Sequence, residues 1–235
     1  LNEIRNNFEI GAFYNELKGE TLYGSGDGCP TNGCNGYELI ADLDFDTNNN
    51  GTLDEQDLFW NEGKGWDPIG SFSEKFVAEF NGNGHTLHNL VMRRPGETFL
   101  GLFAYSELSN FHDFSLSANL TTGAESGGIL GYSWRTEFKN LNIDVVIMGE
   151  PNEDDCLSKC VPNKLGGIVG SADESSFSNI VMKADITGLD RLGGLVGHGI
   201  GDTNSQFDEI AIQANINGDD FIGALAGDLS TYKIN

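Results

Sequence analysis

Apolar residues in the first nineteen positions recur at the spacing of a helix. Ile4 and Phe8 lie four apart, and Ile10, Phe13, Tyr14 and Leu17 follow at i, i+3, i+4 and i+7. That pattern predicts an amphipathic helix over residues 2–19, ended by Gly19, which would cap the open edge of whatever strands follow. The period then changes to two. Tyr37, Leu39, Ala41, Leu43 and Phe45 alternate with Glu38, Ile40, Asp42 and Asp44, which predicts a strand over 37–45 with one buried face. Further strands are expected over 75–80 and 86–92, separated by Asn81-Gly82-Asn83-Gly84, whose residue types tolerate positive φ in a tight turn.

From residue 99 the chain repeats itself. Segments centred on Gly101, Gly127, Gly166, Gly193 and Gly223 are separated by 26, 39, 27 and 30 residues, and the longest step contains the stretch around Cys156 and Cys160. Between them a second motif recurs as Asn110-Phe111, Phe138-Lys-Asn-Leu141, Phe177-Ser-Asn-Ile180 and Phe207-Asp-Glu-Ile210, followed by alternating apolar and polar positions. About three short strands per 26 to 30 residues favour a β-solenoid; a propeller blade needs nearer 40 residues and four strands, and a leucine-rich repeat needs a leucine ladder that is absent here. The expected architecture is one all-β domain over 1–235, a parallel β-helix. It would comprise a capping helix at 1–19, first coils at 36–98 and repeats at 99–229, with Phe138, Phe177 and Phe207 stacked inside.

Composition narrows the partners. Thirteen Lys and Arg against 36 Asp and Glu give a net charge of −23, which repels nucleic acid and anionic membrane surfaces and attracts cations. No apolar run is long enough to span a membrane, and the first residue is Leu with no signal-type stretch behind it, so a mature fragment or excised domain is expected. Cys29 with Cys34 and Cys156 with Cys160 form two close pairs among Gly, Asn, Pro and acidic residues. Local disulfides in an oxidising compartment are the expected state; a four-thiolate zinc site, with spacings that suit it only loosely, and free thiols are the alternatives.

The sharpest chemical signal is Asp46-Thr-Asn48-Asn-Asn50-Gly51-Thr52-Leu53-Asp54-Glu-Gln-Asp57. It matches a twelve-residue Ca²⁺ loop: Asp46, Asn48, Asn50, Asp54 and Asp57 stand at loop positions 1, 3, 5, 9 and 12, Gly51 is the turn glycine, and Thr52 offers a backbone carbonyl. Asp57 replaces the usual Glu, which shortens the reach of the last ligand. One or two helical turns are expected over Glu55–Trp60, before Gly63.

No other constellation demands chemistry. His85, His88, His112 and His198 are scattered, and serine-elbow, phosphate-loop and zinc-protease patterns are absent. Arg93, Arg94, Arg135 and Arg191 are the basic groups that a polysaccharide lyase would need beside its carboxylates. Tyr105, Phe111, Tyr132 and Trp134 could present rings to a sugar or a protein, with core packing as their alternative role.

The cores Gly127-Gly-Ile-Leu-Gly131, Gly166-Gly-Ile-Val-Gly170 and Gly193-Gly-Leu-Val-Gly197 resemble the GLUG-motif repeats of large bacterial surface proteins, including adhesins. Gly36-Tyr-Glu-Leu-Ile-Ala-Asp-Leu-Asp-Phe-Asp46, Gly65-Trp-Asp-Pro-Ile-Gly70 and Phe80-Asn-Gly-Asn-Gly-His-Thr-Leu87 look like segments that precede such repeats, so the likeness spans residues 36–229. It implies a right-handed β-helix and a secreted or bacterial cell-surface location, without catalysis in this region. The functional expectation is a Ca²⁺-stabilised adhesion or structural module, part of a larger surface protein, that binds a cell-surface glycan or protein. The alternative is a polysaccharide lyase or hydrolase on the same scaffold.

Overall fold

The structure, a computed structural model, describes residues 2–4, 36–151 and 162–235. Its strands are β1 (Asn2–Ile4), β2 (Gly36–Leu39), β3 (Leu43–Asp44), β4 (Glu79–Asn81), β5 (Thr86–Arg93) and β6 (Phe103–Glu107). Four coils follow, each a long strand, a short one and a third. They are β7 (Asn110–Thr122), β8 (Ser126–Gly127) and β9 (Leu130–Trp134), then β10 (Glu137–Gly149), β11 (Asn163–Gly166) and β12 (Val169–Asp173). The last two are β13 (Ser176–Thr187), β14 (Asp190–Gly193) and β15 (Val196–Ile200), then β16 (Gln206–Asn217), β17 (Asp220–Gly223) and β18 (Ala226–Ser230); β19 (Lys233–Ile234) ends the series.

Corresponding strands stack in parallel into three sheets. The largest runs β1-β2-β4-β7-β10-β13-β16-β19, with β5 also on β7 and β3 on β5; the second runs β17-β14-β11-β8, and the third β18-β15-β12-β9-β6. The alternating residues of each long strand therefore meet the same residues one coil away: Ile143 lies beside Leu116 and Met182, and Ile147 beside Leu120 and Ile186. All of these are buried. The predicted phenylalanine stack is present and longer than expected. Phe111, Phe138, Phe177 and Phe207 follow at centroid separations of 5.6, 4.9 and 5.0 Å, with ring planes within 14° of parallel. That step is close to the spacing of hydrogen-bonded strands, so backbone ladder and ring stack share one repeat.

The Phe-x-Asn-aliphatic motif has a backbone cause. Asp113, Asn140, Asn179 and Glu209 occupy one column and all have positive φ, from 50 to 59°. A left-handed residue resets the alternation, so Phe138 and Leu141, three apart, both point into the core. Asn is favoured there because its side chain tolerates that region, and it also hydrogen-bonds along the stack: Asn140 Nδ2 donates to Asp113 Oδ1 at 2.6 Å and Asn179 Nδ2 to Asn140 Oδ1 at 2.8 Å. The glycine pairs have a different reason. A Cβ on Gly193 would lie 1.9 Å from the Val196 carbonyl oxygen, so the corner excludes any side chain.

Three expectations are corrected. Asn2–Ile4 is a strand in parallel register with Tyr37–Leu39, not the start of a capping helix, because pairing with the neighbouring edge overrides a short helical apolar pattern. Residues 5–19 of that expected helix lie outside the described residues, among which the helical structure is the 3₁₀ turn Asn61–Gly63, itself broken by Glu62 at φ 54°. The helical turns expected over Glu55–Trp60 are hydrogen-bonded turns instead. The cysteines expected to pair as Cys29–Cys34 and Cys156–Cys160 all lie outside the described residues, among which no disulfide is found. The predicted strand over 37–45 splits into β2 and β3 around the exposed Ile40, while Tyr37, Leu39, Leu43 and Phe45 all point inward.

Candidate functional site

Two places gather residues singled out in the sequence. The first is the loop that follows β3. Phe45 at its entrance packs on Phe59 and Trp66 at 5.2 Å each, and these two meet edge to face at 5.1 Å, so an aromatic triangle pins both ends of the loop to the core. Asn49 and Gly51 supply positive φ, at 57 and 84°. Nothing lies within 4 Å of a Cβ built on Gly51, so backbone conformation rather than space demands glycine there.

Within the loop the candidate ligands converge. Asp46 accepts from the Asn50 N–H at 3.2 Å and the Gly51 N–H at 2.7 Å. Asn48 Nδ2 donates to Asp54 Oδ1 at 3.1 Å, Asn50 Nδ2 donates to Asp54 Oδ2, and Asn48 Oδ1 accepts from the Asn50 N–H. The Gln56 N–H, and after it the Asn50 amide, hold the Asp54 carboxyl below its ordinary pKa. Asp46, Asn48, Asn50 and Asp54 thus form one knot of oxygen-bearing side chains, with Thr52 on its exposed rim, where its N–H and hydroxyl bond Asn50 Oδ1.

Asp57 acts from the other side. Its Oδ1 accepts from the Thr47 and Asn48 N–H groups at 2.8 and 3.2 Å and from the Thr47 hydroxyl at 3.1 Å, while its Oδ2 accepts from the Asp54 N–H at 3.0 Å. It is buried, and in this structure it is the clasp that closes the loop. The donor set of mixed carboxylates, amides and a backbone carbonyl suits a hard cation with six to eight oxygens. Among the described residues no group of three or more His, Cys, Asp and Glu is placed to hold a metal, so any cation here would draw on the asparagine oxygens.

The second place is a groove of about 510 Å³ on the outer face of the β6-β9-β12-β15 sheet. Tyr105 on β6 and Tyr132 on β9 are register partners with rings 5.8 Å apart. Phe99 lies 4.7 Å and Phe72 5.8 Å from Tyr105, and Trp134 lines the next outward position. Tyr132 donates its hydroxyl to Asp173 Oδ2 at 2.7 Å. Burial pushes the Tyr105 phenol up to about 12, and burial followed by the Asp173 hydrogen bond raises that of Tyr132 further. In the following coils the Tyr position becomes Ser171 and then His198, so the aromatic platform occupies the first part of the sheet.

Of the aromatics proposed from the sequence, Tyr105, Tyr132 and Trp134 share this groove, whereas Phe111 is fully buried in the ring stack. Phe72, which is 73 % exposed, and Phe99 were missed; they lie outside any alternating segment, and only the fold brings them beside Tyr105. Three of the four basic candidates are engaged by carboxylates: Arg94 is buried between Asp67 and Glu97 at 3.0 Å each, Arg135 pairs with Glu174 at 2.5 Å, and Arg191 pairs with Asp190 and Asp228, whereas Arg93 donates to the Leu53 carbonyl at 3.5 Å. His85, His112 and His198 likewise meet Asp42, Glu79 and Asp228 at 3.0, 2.8 and 3.2 Å, and His112 also meets Asp113.

No protein-family model matches the chain. Over 146 residues, 60 % of its length, it is 25 % identical to halomucin of Haloquadratum walsbyi (strain DSM 16790 / HBSQ001), and the matched stretch spans about 1 % of that protein. No solved structure matches.

Proposed function

We propose that this chain is a non-catalytic, Ca²⁺-stabilised module of a larger secreted or cell-surface protein, of the GLUG-repeat adhesin type, and that it binds a cell-surface glycan through the groove. The groove carries the reading. Tyr105, Tyr132 and Trp134, partly exposed and presented by successive coils, offer flat apolar faces for sugar rings, and Glu125, Asp173 and Glu174 around them accept hydrogen bonds from hydroxyl groups. The rigid stack beneath fixes the spacing of these rings, which lowers the ordering cost of binding. Similarity to a small part of a very long protein supports the role of one module among many.

In this reading the Asp46 loop holds one Ca²⁺ through Asp46, Asn48, Asn50, Asp54 and the Thr52 carbonyl, with Asp57 as clasp or last ligand. The ion offsets part of the acidic self-repulsion and locks the loop against the aromatic triangle. Screening of immobilised neutral oligosaccharides with the 235-residue chain in millimolar Ca²⁺ tests the binding. Retention on at least one class is expected, weakened at least about tenfold, the equivalent of 1.4 kcal/mol, by Tyr132→Ala combined with Trp134→Ala. Retention unaffected by that double substitution would remove the groove from the account. Chain cleavage in the same incubations would favour the lyase or hydrolase alternative.

A further inference from the structure

The last coil is built like the three before it, yet its inner face is not closed. Ile210, Ile212, Ala214 and Ile216 of β16 stand in register with Ile180, Met182, Ala184 and Ile186 of β13. The β13 set is fully buried, whereas each β16 residue is only partly so. In the second sheet Ile222 is the register partner of the completely buried Leu192 and is 45 % exposed, with Phe221 beside it at 56 %. The sheets end here as well. Among the described residues β17 and β18 pair on one side only, with β14 and β15, and β16 meets a second neighbour only at Gln206 and Phe207.

That neighbour is informative. β19 places Lys233 on Gln206 and Ile234 on Phe207, in parallel, which is the relation of every long strand to the one before it. Tyr232 packs on Phe207 at 4.9 Å with its ring tilted by 31°, and Ile234 takes the next position of the column Phe111, Phe138, Phe177 and Phe207. Two residues of a fifth long strand are therefore already laid down, beside an apolar surface and three open edges.

We propose that this end of the solenoid is the docking face for one further parallel coil, formed by polypeptide continuing from β19, with a long strand that pairs along Glu209–Asn217 and presents small or aliphatic residues to Ile210, Ile212 and Ile216. A coil in this series cannot bury its own inner face, and an uncovered β edge with apolar flanks invites association. A second copy of the chain is the less suitable occupant, because Lys233 and Ile234 already hold the start of the edge it would need. The proposal stands independently of the glycan groove, which lies on the outer face of other coils.

The test compares the 235-residue chain with a chain lengthened after Ile234 by a copy of residues 208–234, and with the same lengthened chain carrying Asp at the three added isoleucines of the long strand. The lengthened chain is expected to melt about 5 °C or more higher, and amides of β16 from Ile210 to Ile216 are expected to exchange at least about tenfold more slowly while those of β10 are unchanged. The Asp-bearing control should show neither effect. No melting shift and no added protection of β16 in the lengthened chain would overturn the proposal. So would light scattering that shows the 235-residue chain dimeric with β16 already protected, because the occupant would then be a second copy. Should the lengthened chain fail to fold, a synthetic peptide of residues 206–230 added in trans gives the same reading: slowed exchange in β16 supports the proposal, and unchanged exchange at millimolar peptide contradicts it.

Discussion

Residues 36–98 and the four coils that begin at Asn110 share one hydrophobic core, but they are held by different means. In the coils the backbone is ordered mainly by repetition: strands are continuous, partners repeat at fixed register, and rings, asparagines and aliphatics each stack on their own kind. In residues 36–98 the strands are short and the connections are long, and the backbone between β3 and β4 is shaped by side chains of Asp46, Asn50, Asp54 and Asp57 that accept from its N–H groups. The coils are stable by repetition, whereas the first region depends on a few polar groups whose loss nothing nearby replaces.

The largest effect should come from breaking the repetition. Phe177 is fully buried between Phe138 and Phe207, so Phe177→Ala is expected to cost about 3–5 kcal/mol in chemical denaturation. The loss should spread to neighbouring coils in hydrogen exchange, since each coil's inner face is covered by the next. A purely local loss of protection would show that the coils are less coupled than the stack implies.

Next in size is Asp57→Ala, which removes the acceptor of three backbone N–H groups and is expected to cost about 2–3 kcal/mol. Here the exchange pattern should be the reverse: faster between Asp44 and Trp66, unchanged in β10 and β13. Acceleration across all coils would mean that the two regions are not separable as described.

The smallest effects test the left-handed column. Asn140→Ala should destabilise by about 1 kcal/mol, through positive φ and the lost Asn ladder. Glu209→Asn, which brings the fourth coil into line with the second and third, should stabilise by roughly 0.5 kcal/mol. Equal and negligible effects of both, measured by urea denaturation, would show that the column follows the fold rather than supporting it.

The same contrast explains what was legible in the sequence. Glycine pairs, phenylalanine spacing and strict alternation announce the coils because each signal is repeated and each has one physical meaning: a corner without room for Cβ, a stack, an inward face. The Asp46–Asp57 loop was singled out by spacing alone, yet spacing placed Asp57 among the expected ligands and could not show that the structure engages both its oxygens with the loop's own donors. The buried hydroxyls two residues before each phenylalanine, Ser109, Thr136, Ser175 and Ser205, recur as plainly as the glycines. They were overlooked because Ser and Thr are ordinary at turns; their role is to hold corners, as when Ser133 and Ser175 pair at 3.0 Å. The start of the expected helix, Asn2–Ile4, was misread because helical periodicity over a few residues says nothing of a neighbouring edge that an extended segment can join. Phe72 and Phe99 belong to the groove only through tertiary approach.

Amide hydrogen exchange with and without millimolar Ca²⁺ tests most directly the claim that one region is braced by a cation and the other by its own repetition. The account predicts slower exchange between Asp44 and Trp66 on adding Ca²⁺, an effect lost in Asp46→Ala, with no change in β10, β13 or the Phe138–Phe177 layer. Exchange that is indifferent to Ca²⁺ throughout, or slowed equally in loop and coils, would contradict it.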